Sequence, residues 1–142
     1  LGHIGAACAE WQMPLLVMVY VRGAALPAPV PDSAVAHCTR LAAELGADLV
    51  KIPQPQNEET LEKIVNSVPV PVVIAGGTRK EGNPLPFLER IGKALRTGVG
   101  GVAIGRNIFQ ADEPERLLRA VHRMVHENLS ALEAWESGEP PA

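Results

Sequence analysis

The residue that invites chemistry is a lysine inside an apolar run. In "GADLVKIPQPQ" (46–56), Lys51 interrupts a stretch that otherwise reads as a buried strand, and lysine is seldom buried. A neutral primary amine attacks a ketone or aldehyde and forms a Schiff base. The iminium then withdraws electrons, so a neighbouring C–C bond can break or form. An ordinary lysine amine is neutral in about one molecule in a few thousand at pH 7. Desolvation and a nearby cation raise that fraction. The reaction also needs a proton donor and acceptor, and Tyr20 is the nearby candidate. The competing reading is a strand-end lysine whose stem covers apolar surface while its ammonium reaches water. Spacing alone leaves both open.

Two glycine-bearing stretches offer a second chemistry. "GGTRK" (76–80) and "GRN" (105–107) combine glycines, which let backbone N–H groups approach an anion, with Arg79, Lys80 and Arg106. An arginine can hold a phosphate through two parallel hydrogen bonds. Glycine pairs are common in turns, so the signal depends on where the fold places them.

The elements that would place them alternate. Ile4, Cys8 and Trp11 are spaced as one face of a helix. "LLVMVYV" (15–21) reads as a strand, followed by a proline-rich loop. Asp32 or Ser33 is expected to cap a helix running to Leu45, with Gly46 as its stop. "DLVKI" (48–52) is the second strand. Asn57 caps a helix whose Leu61, Ile64, Val65 and Val68 form one apolar face, and its early glutamates suit the positive end of the helix dipole. "PVVIAGG" (71–77) is the third strand. Asn83 and Pro84 open a helix that Gly98 ends, and "GVAIGRN" (101–107) is the fourth strand. The last helix spans 112–129. A single domain over 1–136 with a frayed tail at 137–142 is expected.

Near-continuous apolar strands separated by amphipathic helices imply parallel βα units. Four such units match half of a (β/α)8 barrel, which needs roughly 250 residues when complete; a small open doubly wound sheet is the alternative. Strand alternation favours the barrel. It turns Val17, Val50, Ile52, Val102 and Ile104 toward helices. It turns Leu16, Met18, Tyr20, Leu49 and Lys51 to the inner side, with Gly101, Ala103 and Gly105. Barrel active sites lie at the C-terminal strand ends, which here carry Tyr20, Arg22, Lys51, Gly76, Gly77, Gly105 and Arg106. The two glycine stretches would then follow the last two strands, the usual phosphate site of that fold.

Bulk properties exclude other classes. The 142 residues are 46% hydrophobic and 20% charged, enough for one globular domain with a sizeable core. A net charge of −3 gives no electrostatic case for nucleic acid or an anionic membrane. "PLLVMVYV" is too short to span a bilayer, and nothing at the start resembles a signal peptide. Cys8 and Cys38 read as reduced buried thiols of a cytoplasmic protein. His122 and His126 lie four apart on one helix, but no third ligand follows, so no metal site is expected. His37 packs or faces solvent, and Trp11 and Trp135 read as packing residues. The absent methionine and the opening helix give the look of a fragment.

"MPLLVMVYVRG", "AELGADLVKIP", "PVVIAGG" and "GVAIGRNIFQ" resemble, in order and spacing, the class I aldolases of archaeal type. That family includes fructose-bisphosphate aldolases and 2-amino-3,7-dideoxy-heptulosonate synthases, of the DeoC/LacD kind. The resemblance covers essentially the whole sequence and corresponds to the second half of the family's barrel. It implies that Lys51 is the Schiff-base lysine and Tyr20 the acid–base tyrosine, with Arg22 two places on. Gly76, Gly77, Gly105 and Arg106 match the loops that hold the substrate phosphate, and Arg79 stands where the family has lysine. It also implies a phosphorylated ketose such as fructose 1,6-bisphosphate as substrate, dihydroxyacetone phosphate released or added, no cofactor or metal, and a homo-oligomer. A transaldolase-like or acyl-transfer reaction is a further option. An option of another class is a non-catalytic phosphate-binding half-barrel that pairs with a partner or complementary half. The sequence departs from the family at Val21, usually proline, at "PQPQN", at "GGTRK" and at "EGNPLP". The family's catalytic aspartate lies on the first barrel strand, outside this sequence.

Overall fold

The computed structural model describes residues 1–79 and 82–137. Four short strands, β1 (Leu16–Met18), β2 (Leu49–Ile52), β3 (Val72–Ala75) and β4 (Gly101–Ala103), form one parallel sheet in the order β1-β2-β3-β4. The strands follow one another without reversal. A doubly wound sheet needs a reversal point, so this is the half-barrel arrangement. The helices are α1 (Gly2–Glu10), α2 (Asp32–Glu44), α3 (Glu58–Asn66), α4 (Leu85–Arg96), α5 (Arg106–Phe109), α6 (Pro114–His126) and α7 (Ala131–Glu136).

The core lies on one side of the sheet. Val50, Ile52, Val72 and Ile74 meet Val35 and Ala42 of α2 and Leu61 and Ile64 of α3 in one cluster. Leu88 and Ile91 of α4 meet Ile108, Leu117, Val121 and Met124 in a second. Val102 and Leu95 touch both and join them. Burying each large aliphatic side chain contributes about 1.5–3 kcal/mol. The opposite, inner face is open at its β1 edge, where Leu16, Met18 and Tyr20 are exposed. That alternation agrees with the period-two pattern of the strands.

Several elements differ from expectation. The fourth strand ends at Ala103 instead of Asn107, because its β3 partner ends at Ala75, the last paired position. Arg106–Phe109 turns instead into α5. Neither Asp32 nor Ser33 caps α2: Pro31 is the N-cap, and its carbonyl accepts from Ala34 N at 3.0 Å. Asn57 does cap α3, its Oδ1 accepting from Glu59 N at 2.8 Å. The final expected helix, 112–129, is shorter, running Pro114–His126, and a separate short helix that was not expected comes after it. α7 follows α6 through a capping box, in which Ser130 accepts from Glu133 N and Glu133 accepts from Ser130 N. Trp11 does not pack; it is 75% exposed. Trp135 packs beneath the Arg116 guanidinium, 4.0 Å from the ring centroid. Ser137 ends α7, its hydroxyl donating to the Glu133 carbonyl at 2.6 Å. The rest of the expected frayed tail, 138–142, lies outside the described residues, as does Lys80.

Candidate active site

The backbone register decides which side chains share a level on the inner face. Met18 pairs with Lys51, Lys51 with Val73, and Val73 with Gly101. Lys51 therefore sits in a cross-sheet row with side chains that shrink toward β4. It is half-buried. Its carbonyl accepts from Val19 N at 2.8 Å, which extends the β1–β2 pairing one step toward Tyr20. Among the described residues its ammonium has no ion-pair or hydrogen-bond partner. Val50 and Ile52, on either side of it, are fully buried against the helices.

Tyr20 follows β1 two residues beyond the level of Lys51, on the same face, and is 54% exposed. Arg22 lies beside it, the guanidinium carbon 5.7 Å from the ring centroid. At that range the ring quadrupole attracts the cation. Among the described residues, no hydrogen bond joins the Tyr20 hydroxyl to Lys51.

The β3 end is built tightly. Gly76 is buried and Gly77 is exposed with φ +72°, a left-handed conformation that only glycine adopts freely. Asn107, at the start of α5, donates from Nδ2 to the Gly76 carbonyl at 3.0 Å and to the Gly77 carbonyl at 3.3 Å. Arg90 of α4 donates from Nη2 to the same Gly76 carbonyl. It also donates from Nη1 to Gln54 Oε1 at 3.3 Å, while Gln54 Nε2 donates back to the Arg90 carbonyl at 3.2 Å. Burial pushes the pKa of Arg90 down. These contacts link the loop after Lys51, the loop after β3 and the start of α5. An open groove of about 310 Å³ lies between Gly76, Thr78, Phe87, Arg90 and Asn107.

Gly105 and Arg106 are exposed at the head of α5, beside this assembly in sequence through Asn107. Arg79 is held elsewhere: its Nη2 lies 3.5 Å from Asp112 Oδ1, and it lines a smaller pocket of about 80 Å³ with Asp112 and Trp135. The strand ends thus gather Lys51, Gly76, Gly77 and the Gly105–Arg106 corner. Tyr20 and Arg22 stand at the β1 edge, and Arg79 is turned toward Asp112. Gln54, Arg90 and Asn107 were not anticipated. Only Asn107 left a local trace, a polar residue directly after Gly105 and Arg106. Among the described residues, no group of three His, Cys, Asp or Glu side chains is placed to hold a metal.

Residues 1–111 match the model of the DeoC/LacD family aldolases. The 2-amino-3,7-dideoxy-D-threo-hept-6-ulosonate synthase 1 of Archaeoglobus fulgidus is 39% identical over 135 residues, covering 95% of this chain and 49% of that protein. The 3-hydroxy-5-phosphonooxypentane-2,4-dione thiolase of Klebsiella pneumoniae is 46% identical over 98 residues, covering 69% of this chain and 32% of that one. Among solved structures, an archaeal fructose-1,6-bisphosphate aldolase with its catalytic lysine covalently bound to the carbinolamine intermediate superposes with a TM-score of 0.81 at 29% identity. That match covers 87% of this chain and 49% of that one. The chain spans about half or less of the length of each protein it matches here. With four parallel βα units in sequential order and a lysine on their inner face, the chain belongs to the DeoC/LacD family of aldolases.

Proposed function

We propose that this chain supplies the Schiff-base half of an aldolase acting on a phosphorylated ketose, such as fructose 1,6-bisphosphate. The observation that carries the reading is the register: Lys51 lies on the open face, one strand from the Gly76–Gly77 loop. Its amine adds to the substrate ketone to give a carbinolamine, which loses water to an iminium. Cleavage of the C–C bond beyond the adjacent carbon sends its electron pair into the iminium, forming an enamine and releasing an aldehyde. Protonation of the enamine and hydrolysis return the amine and release dihydroxyacetone phosphate. Tyr20 relays protons in these steps. The Gly76–Gly77 loop and Gly105–Arg106 hold the phosphate, which orients the carbonyl toward Lys51. The imine is the electron sink, so the route uses no metal or cofactor. The free thiols Cys8 and Cys38 suit a reducing cytoplasm.

The experiment is borohydride reduction with fructose 1,6-bisphosphate present, with the units that complete the barrel supplied. The expected result is a mass increase on the peptide containing Lys51 and none in Lys51→Arg. Absence of the adduct in the unsubstituted protein refutes the reading.

Two relatives favour a second reaction on the same lysine: the heptulosonate synthase, and the thiolase, whose name points to acyl transfer. Product analysis with and without a thiol acceptor separates these from aldol cleavage. A non-catalytic half-barrel that pairs with its complement or a second copy is favoured by exposed Leu16, Met18 and Tyr20. An adduct at Lys51 that turns over to free products excludes it.

A further inference from the structure

The Gly76 carbonyl accepts two side-chain donors, Arg90 Nη2 and Asn107 Nδ2, and Asn107 Nδ2 reaches the Gly77 carbonyl as well. A trans peptide is planar, with its C=O and N–H pointing in opposite directions. Pinning those two carbonyls therefore turns the N–H groups of Gly77 and Thr78 away from Arg90 and Asn107. Among the described residues, neither N–H has an acceptor. A left-handed residue such as Gly77 is one half of the αR–αL pair in which successive N–H groups converge on an anion.

Arg90 does a second job. Its reciprocal pair with Gln54 spans 36 positions of sequence and ties this loop to the segment that leaves β2 just after Lys51. The guanidinium is half-buried, a costly place for a charge. Its position beside the Phe87 ring, 5.4 Å from the centroid, and its hydrogen bonds offset that cost and fix its direction.

We infer that Gln54, Arg90 and Asn107 are positioning residues that aim the Gly77 and Thr78 N–H groups at the substrate phosphate and lock that loop to the strand carrying Lys51. The inference deepens the phosphate-and-imine reading and rests on it. It also gives the departing "PQPQ" stretch a role, since its Gln54 ties the loop after β2 to Arg90.

The test uses the polypeptide with its completing barrel units, and two probes. Inorganic phosphate competing with fructose 1,6-bisphosphate reads the anion site. Borohydride trapping of dihydroxyacetone, which has no phosphate, reads the amine. Arg90→Lys keeps the charge and loses the two-armed geometry. Losing one charge-assisted hydrogen bond is expected to weaken phosphate inhibition and raise KM about tenfold. Dihydroxyacetone trapping changes far less. Gln54→Ala, which removes only neutral hydrogen bonds, shifts both quantities the same way by a smaller factor. It carries the test if Arg90→Lys does not fold. Unchanged phosphate inhibition in folded Arg90→Lys, or an equal fall with both probes, overturns the inference. Absence of trapping in the unsubstituted protein instead overturns the Schiff-base reading. Absence of phosphate competition there overturns the anion site and this inference together.

Discussion

Replacing Gly76 by alanine is the sharpest test of how tightly the β3 loop is built. A methyl group at this position would lie 2.8 Å from Asn107 Nδ2 and 2.8 Å from Ile104 Cγ2, closer than real side chains come. Neither neighbour yields easily. Asn107 is buried and held by two carbonyls, and Ile104 is β-branched and packed on the second core cluster. Overpacking of this kind costs about 1–3 kcal/mol. If Asn107 swings aside, its lost hydrogen bonding adds about 1 kcal/mol. The sum, about 2–4 kcal/mol, corresponds to a fall in melting temperature of roughly 10 °C for a chain of this size. Gly105→Ala is the control. Its added methyl meets nothing within 4 Å. It should melt within about 2 °C of the parent. Thermal unfolding followed by circular dichroism reads both. If Gly76→Ala melts with Gly105→Ala, the close approach of α5 to this loop is wrong, and so is the anchoring inferred from it.

Asn57→Ala removes the α3 cap and should cost about 1 kcal/mol in urea unfolding; an unchanged midpoint contradicts the cap. The α7 capping box should be acid-sensitive. Hydrogen bonds from the Ser130 hydroxyl and then the Ser130 backbone hold the Glu133 carboxyl below the usual carboxylate range. A depressed folded-state pKa means the contribution is complete above the unfolded value, about 4.3, and is lost as pH falls through the lower folded value. Trp135 fluorescence should report α7 loosening in that window, and Glu133→Gln should flatten the step.

Period-two alternation was enough to put Lys51 and Tyr20 on one face and Val50 and Ile52 on the other, because one face of the sheet packs on helices and the other does not. Strand ends were less legible. "GVAIGRN" continues to look like a strand after its pairing partner has stopped, since apolarity is local and pairing is not. α7 is too short to show a helical period, although Ser130 and Glu133 spell its capping box. The Pro31 cap was hidden because Asp32 and Ser33 are both better-known cap residues. Nothing local announced Gln54 and Arg90. A hydrogen-bonded pair 36 residues apart leaves no spacing to read.

The row Met18–Lys51–Val73–Gly101 also acts as a ruler. Gly76 lies three residues beyond Val73, roughly 10 Å along the strand, and one strand spacing, roughly 4.8 Å, to the side of Lys51. The two α-carbons are then roughly 11 Å apart, and the lysine stem rises roughly perpendicular to the sheet, so it does not shorten that in-plane separation. In the proposed reaction, a substrate that reaches both amine and loop must bridge that separation. In that proposed reaction, strand pairing, which no side-chain substitution easily shifts, therefore helps set the distance between the reacting carbonyl and the anion. Lengthening the loop by one residue should change the preferred chain length of the substrate more readily than any change of charge.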